Sequence, residues 1–104
     1  MKSQDQRPFD DPKNVAVITL KSIVKGGKPI LHVTHDADDD GTWQFLDGTT
    51  VSAENASVVS LEEITRIDPS VIDLVDLPRG WYAYRLAAGE PWRRGNKRER
   101  NSND

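Results

Sequence analysis

The hydrophobic period of this chain changes from that of strands to that of helices at Ser60, and that change limits the folds open to it. Before Ser60, apolar residues occur in short runs with the spacing of β-strands. The segment Ser60–Glu63 is a capping box, in which a Ser hydroxyl accepts a hydrogen bond from the amide three residues later. Strand signals return only near the end of the chain. This order is typical of an α+β domain and differs from the regular alternation of a βαβ fold.

Four segments before Ser60 carry strand signals. Residues 15–20 are mostly apolar at both odd and even positions, which point to opposite faces of a strand, and they are rich in β-branched side chains. This pattern predicts a strand covered on both faces. Trp43 and Phe45 fall on one face of a later strand, because side chains alternate along a strand. The three further strands are predicted at residues 30–35, 42–46 and 56–59.

Two short helices are predicted between the central strands and the last strand. The first covers residues 60–67. Asp68 and Pro69 start the second, with Asp as the N-cap and Pro at the first helical position, and Pro78 ends it. The aromatic run at residues 81–87 predicts the final strand. We therefore expect an α+β fold with a small, mainly antiparallel sheet of about four to five strands.

The length and composition allow one domain. The chain has 104 residues, of which 36% are hydrophobic and 30% are charged. Residues 1–13 and 95–104 are polar, which predicts a disordered lead-in and a disordered basic tail around a single domain at 14–94. Cysteine is absent, which excludes disulfides and thiolate metal sites. No apolar run reaches the ~18 residues of a membrane span. We expect a bacterial, cytoplasmic protein that is monomeric when free.

The net charge of −3 conceals an uneven distribution. Residues 36–76 carry eleven Asp or Glu and one Arg, a net charge of −10. The segments on either side, 1–35 and 77–104, carry +3 and +4. Charge blocks of this kind steer association rather than determine the fold. Because the acidic block repels phosphate, it disfavours nucleic acid in contact with that region. We expect a protein partner and no membrane.

The segment Asp36–Gly41 matches the first half of a calcium-binding loop, D-x-D-x-D-G. Strands rather than helices are predicted on both sides of it, and the strand at 42–46 carries the twelfth loop position away from Asp36. A solvated acidic hairpin loop is therefore the favoured interpretation, and we predict no metal and no other cofactor. The candidate calcium ligands are Asp36, Asp38, Asp40, Thr42 and Asp47.

Catalytic chemistry has little support in the sequence. His32 and His35 are three residues apart on a predicted strand, so their rings point to opposite faces and do not share a metal. There is no cysteine, no nucleophile-elbow motif and no phosphate-binding glycine spacing. We predict that the protein is not an enzyme. A calcium-responsive domain, or a nucleic-acid accessory domain that uses the basic end from Trp92 onward, is the alternative.

Several longer elements resemble a known family. The most specific are Gly-x-Trp-x-Phe at 41–45 and Asp-Pro-Ser-Val-Ile at 68–72. Over residues 15–94, about three-quarters of the chain, the sequence resembles the bacterial immunity-protein family thirty-three of polymorphic toxin systems, first catalogued as a domain of unknown function. The resemblance implies a small cytoplasmic protein that neutralises a cognate toxin by binding it. Further matching elements lie at 27–30, 46–48, 55, 58–64 and 77–80.

An acidic surface suits a partner with a basic active site, such as a nuclease. Complementary charge raises the association rate, and buried aromatic anchors supply much of the affinity. We expect the acids of the loop and the second helix to form this surface, with an exposed aromatic anchor at Trp43 or Trp81. The predicted partner-binding residues are Asp36, Asp38, Asp39, Asp40, Asp73, Asp76, Trp43 and Trp81.

Overall fold

The computed structural model describes residues 14–37, 41–49 and 52–96. In these ranges the chain forms one mixed sheet with short helices against one of its faces. The helices are α1 (Lys21–Val24), α2 (Leu61–Ile67) and a 3₁₀ helix (Pro69–Leu74). The strands are β1 (Ala16–Leu20), β2 (His32–His35), β3 (Trp43–Leu46), β4 (Ala56–Ser60), β5 (Trp81–Tyr84) and β6 (Arg93–Asn96).

The sheet has the strand order β4-β1-β3-β2-β5-β6. β1 and β3 are parallel, and every other neighbouring pair is antiparallel. The predicted α+β class with a mainly antiparallel sheet is confirmed. The described residues hold six strands rather than four or five, because β6 extends the sheet beyond β5.

The covered face of the sheet holds the hydrophobic core. Alternate residues of the strands point toward α2 and the 3₁₀ helix, whose apolar side chains close over them. Burying one such side chain fully contributes roughly 1.5–3 kcal/mol. The residues that are at most 2% exposed here include Val17, Val33, Trp43, Phe45 and Ala83 from the strands and Leu61, Ile64, Val71, Leu74 and Leu77 from the helices and the turn that follows.

The other face, here called the open face, is exposed over part of its area: Val58 and Tyr84 are 67% and 39% exposed, whereas Thr34 and Leu46 are buried. On β1, Ala16 is exposed and Ile18 only half-buried, so the prediction of a strand covered on both faces is wrong. β-branched side chains are favoured on both buried and exposed faces of a strand. The apolar run alone therefore does not show whether one face or both are covered. The open face carries Ile18, His32, Thr34, Gln44, Val58, Tyr82, Tyr84 and Arg93.

Both predicted helix starts are present. The Ser60 hydroxyl accepts from the Glu63 amide at 3.1 Å, while the Glu63 carboxylate binds Arg66 at 3.2 Å instead of reaching back to Ser60. Asp68 caps the second helix by accepting from the Ser70 amide at 3.0 Å. None of the helices in the described residues is long and apolar enough to cross a membrane.

Strand β6 is a feature that the sequence did not predict. It pairs with β5, so Gly95 and Asn96 belong to the sheet, although they were assigned to the basic tail. Arginine, glycine and asparagine give weak strand signals, which is why the segment was missed. A Cβ added at Gly95 would overlap the far end of the Tyr82 side chain, so glycine lets this ring approach β6 closely. β5 itself ends at Tyr84, earlier than the predicted residue 87.

The end of β5 is fixed by a charged side chain inside the core. Arg85 is 4% exposed and donates to the Ile30 carbonyl at 3.0 Å, the Ser70 hydroxyl at 3.0 Å and the Asp68 carboxylate at 2.6 Å. The Trp92 ring covers its guanidinium at 4.1 Å. Every part of this buried charge therefore has a partner, and Trp92 closes the core as a structural residue.

Candidate functional site

Two acidic segments that are distant in sequence meet where β2 ends. The ring of His35 donates from Nδ1 to the Leu77 carbonyl at 2.8 Å, across a separation of 42 residues. The Gly80 amide donates to the His35 carbonyl at 2.6 Å. These bonds hold the turn after the 3₁₀ helix beside the start of the acidic loop, so Asp36 and Asp76 flank the same contact. We call this region the acidic end of the sheet.

Asp36 opens the loop between β2 and β3. Its amide donates to the Thr42 carbonyl at 2.8 Å, which closes the loop, and its half-buried carboxylate accepts from Gln44 at 3.5 Å. The guanidinium of Arg79 packs over Gly41, which adopts a φ of 57°. A cation therefore lies against the acidic loop. The predicted partner-binding residues Asp38, Asp39 and Asp40 lie outside the described residues.

Asp73 and Asp76 are exposed on the second helix and the turn after it. One nitrogen of Arg94, Nη2, donates to the Asp73 carbonyl and to the Asp76 carboxylate, both at 2.8 Å. The hydrogen bond from Arg94 lowers the pKa of the Asp76 carboxyl. Asp76 is thus held ionised beside a cation, and Arg94 on β6 offsets part of the negative charge at this end.

The rest of the acidic block does not form a continuous surface. Four of its acids are held by contacts within the domain, at distances of 2.6–3.7 Å. These carboxylates therefore bind groups of the domain itself, at helix starts and in loops, and the net charge of the segment does not reveal this. The four are Asp47, bound by Ser22 and Thr49; Asp68, bound by Arg85; and Glu62 and Glu63, both bound by Arg66.

The two candidate tryptophan anchors lie in different environments. Trp43 is 2% exposed, with the His35 ring stacked on it at 3.9 Å and Phe45 at 5.9 Å. Its prediction as an exposed anchor is wrong, because the strand turns it toward the face that the helices cover. Trp81 is half-buried and lies opposite His35 in the pairing of β2 with β5. Trp81 is therefore the aromatic candidate at the acidic end.

The calcium candidates do not converge. Asp36 and Thr42 lie at one end of β3 and Asp47 at the other, roughly 16 Å along the strand at about 3.3 Å per residue. Asp47 therefore cannot join Asp36 around one ion, and its place in the candidate set is wrong. Across the described ranges no three His, Cys, Asp or Glu side chains are grouped to hold a metal, and Asp38 and Asp40 lie outside those ranges.

The two histidines point to opposite faces, as their spacing predicts. His32 lies on the open face with its ring 6.1 Å from that of Tyr82. His35 lies on the covered face against Trp43. The prediction that they do not share a site is confirmed by these contacts.

A polar cluster missed in the sequence joins α1 to the segment before β4. The Ser22 hydroxyl donates to the Asp47 carboxylate at 3.0 Å and accepts from the Asn55 side chain at 3.3 Å, while the Asn55 oxygen accepts from the Ser22 amide. The hydrogen bond from Thr49, aided by that from Ser22, lowers the pKa of Asp47. The Ser22 hydroxyl contacts a carboxylate and an amide, so this cluster anchors α1 to the turn after β3 and to the segment before β4.

An open groove of about 600 Å³ lies at the end of the sheet opposite the acidic end. Tyr84 and Leu86, which are 39% and 75% exposed, form one wall. The sequence signal for this groove is the alternation of side chains along β5, which puts Tyr84 on the face opposite to the buried Ala83. The groove is lined by Leu31, His32, Leu46, Asp47, Gly48, Thr49, Tyr84, Arg85 and Leu86.

Comparison with protein-family models, with curated proteins and with solved structures finds no match to this chain.

Proposed function

We propose that this protein is a non-enzymatic domain that binds a basic protein partner through the acidic end of its sheet, in the way that an immunity protein binds its toxin. The observation that supports this best is the bond from His35 to the Leu77 carbonyl, which brings Asp36 and the Asp73–Asp76 segment together. Neither segment alone forms a surface. Together they place a carboxylate next to each partner of this bond, since Asp36 follows His35 and Asp76 precedes Leu77.

The chemistry of this end suits recognition. Negative charge on one surface attracts a basic partner and raises the association rate by orders of magnitude at low ionic strength. Arg79 and Arg94 lie among the acids, so the surface presents a fixed pattern of both signs rather than a uniform field. The half-buried indole of Trp81, opposite His35, is of the residue type that anchors interfaces.

The same contacts support a role without catalysis. The Ser22 hydroxyl has its hydrogen bonds taken by Asp47 and Asn55. Arg85 is fully used inside the core. The proposal includes a monomeric free protein in a reducing compartment such as the cytoplasm, since the chain contains no cysteine.

Two variants with equal charge change test the site. In one, Asp36 and Asp73 are changed to Asn. In the other, Glu54 and Glu90 are changed to Gln; both are exposed and lie in loops at the opposite end of the sheet. Immobilised wild-type protein and both variants are incubated with lysate of the source organism at low salt, and the bound proteins are identified by mass spectrometry.

A basic protein that is retained by the wild type and the Glu54/Glu90 variant, and reduced on the Asp36/Asp73 variant, supports the proposal. Equal retention on both variants contradicts a site at the acidic end. A protein that all three retain at high salt contradicts charge-assisted binding, because screening weakens exposed charge interactions.

A further inference from the structure

The open face carries a row of aromatic and cationic side chains across three strands. His32 on β2 lies directly opposite Tyr84 on β5, and Tyr84 lies directly opposite Arg93 on β6. Residues directly opposite each other share a face of the sheet, so these three side chains project together. Tyr84 is 39% exposed and Arg93 is exposed.

A second aromatic side chain broadens this row. The Tyr82 and Tyr84 rings are 6.2 Å apart and inclined by only 20°, and the His32 ring is 6.1 Å from Tyr82. Gly95 allows the Tyr82 ring to lie across β6. The result is a platform of two nearly parallel tyrosine rings, with the His32 ring tilted at 48° beside them, on an antiparallel part of the sheet and next to the open groove. We call it the tyrosine platform.

The tyrosine platform carries one exposed cation, Arg93, whereas carboxylates gather at the acidic end. The other described arginines after residue 76 are held elsewhere: Arg79 packs over Gly41, Arg85 binds Asp68 and Arg94 binds Asp76. The row of His32, Tyr84 and Arg93 lies toward the far end of β2 and β5 from Asp36. Among the described acids, Asp47 lines the groove, but its carboxylate is held by Ser22 and Thr49. The acidic end of the sheet therefore repels phosphate, and the end with the tyrosine platform does not.

We propose that the tyrosine platform binds single-stranded nucleic acid. Unpaired bases stack on exposed aromatic rings of a sheet surface, and the backbone phosphates are held by neighbouring cations. Here Tyr84 and Tyr82 supply the rings and Arg93 the cation. The open groove beside Tyr84, with the apolar walls of Leu31 and Leu86, accepts a base that leaves the stack. This binding is independent of the proposed protein partner and uses a different surface.

The test is fluorescence anisotropy with full-length protein and two labelled probes, an oligothymidylate of about ten nucleotides and an abasic deoxyribose-phosphate oligomer of equal length. At about 50 mM salt we expect the oligothymidylate to bind at least tenfold more tightly, because only it offers bases for stacking. Tyr84→Ala should weaken its binding about tenfold. Arg93→Gln should weaken both probes and reduce the salt dependence, whereas Arg66→Gln, an equal charge change on α2, should do neither.

Equal affinity for the two probes would overturn the proposal, since it would show attraction of phosphate without stacking. Binding that survives Tyr84→Ala and disappears when residues 97–104 are deleted would assign it to the basic tail and also overturn the platform. If neither probe binds, the proposal is overturned and a protein partner becomes the candidate for this face. The Asp36/Asp73 variant should bind the oligothymidylate at least as well as the wild type, so failure here and failure of the proposed function are distinguishable.

Discussion

The carboxylate of Asp68 accepts from the guanidinium of Arg85 at 2.6 Å, while the Trp92 ring covers that guanidinium at 4.1 Å. The Arg85 side chain is 2% exposed and that of Asp68 is 22% exposed. This pair joins the start of the 3₁₀ helix to the end of β5. It places the second half of the helical layer over the sheet and so sets the position of Asp73 and Asp76.

Removal of the carboxylate from this pair should destabilise the domain strongly. Asp68→Ala leaves Arg85 buried without its charged partner and removes the cap of the 3₁₀ helix, and we expect a loss of about 3–5 kcal/mol in the free energy of unfolding. Urea denaturation followed by tryptophan fluorescence measures it. Asp73→Ala, at an exposed position, should change stability by less than about 0.5 kcal/mol. Similar losses in the free energy of unfolding for the two variants would show that the Asp68–Arg85 pair does not contribute strongly to stability.

The packing of Tyr82 over Gly95 predicts a specific coupling. Gly95→Ala places a methyl group into the Tyr82 ring and should cost about 1–3 kcal/mol, as overpacking does. In the background of Tyr82→Ala the same change should cost much less. A double-mutant cycle measured by urea denaturation gives the interaction energy. Additive effects would contradict the contact between the ring and β6.

Asp47 predicts a pH dependence of stability. The hydrogen bond from Thr49 is the main cause of the lowered pKa of this carboxyl, which has an ordinary value of 3.8. A lowered folded-state pKa contributes stability above the unfolded pKa, and this contribution is lost as pH falls through the folded value. Wild type should therefore exceed Asp47→Asn in stability at neutral pH, and the gap should narrow below pH 3.8.

Thr49→Val is the matched variant for this prediction, because it removes the hydroxyl donor and keeps the carboxyl group. It should reproduce part of the loss at neutral pH and show the same narrowing on acidification. Urea denaturation across the pH range gives both curves. A gap between wild type and Asp47→Asn that stays constant with pH would exclude ionised Asp47 as its source.

Local signals predicted much of the fold. The hydroxyl of Ser60 and the carboxylate of Asp68 start the two helices where the sequence places them, since capping needs only residues within three positions. The alternation of Trp43 and Phe45 correctly placed both on one face. It did not show which face the helices cover, so Trp43 was wrongly expected to be exposed.

The features that were missed depend on contacts between distant residues. Strand β6 is held by the packing of Tyr82 on Gly95 and the bond from Arg94 to Asp76, and neither Gly95 nor Arg94 signals a strand by itself. The acidic block looked like one surface because its charges were counted without their partners. Pairing such as that of Asp68 with Arg85 is set by the tertiary fold, so the candidate site could be predicted only in outline.

The most direct test of the central claim is the association rate constant of the captured partner with purified wild type, the Asp36/Asp73→Asn variant and the Glu54/Glu90→Gln variant, measured by stopped flow across ionic strength. The proposed acidic end predicts that the Asp36/Asp73 variant associates about tenfold more slowly at low salt and that the difference shrinks as salt rises. The Glu54/Glu90 variant should associate at nearly the wild-type rate. Equal rates for the two variants at every ionic strength would contradict binding through the acidic end.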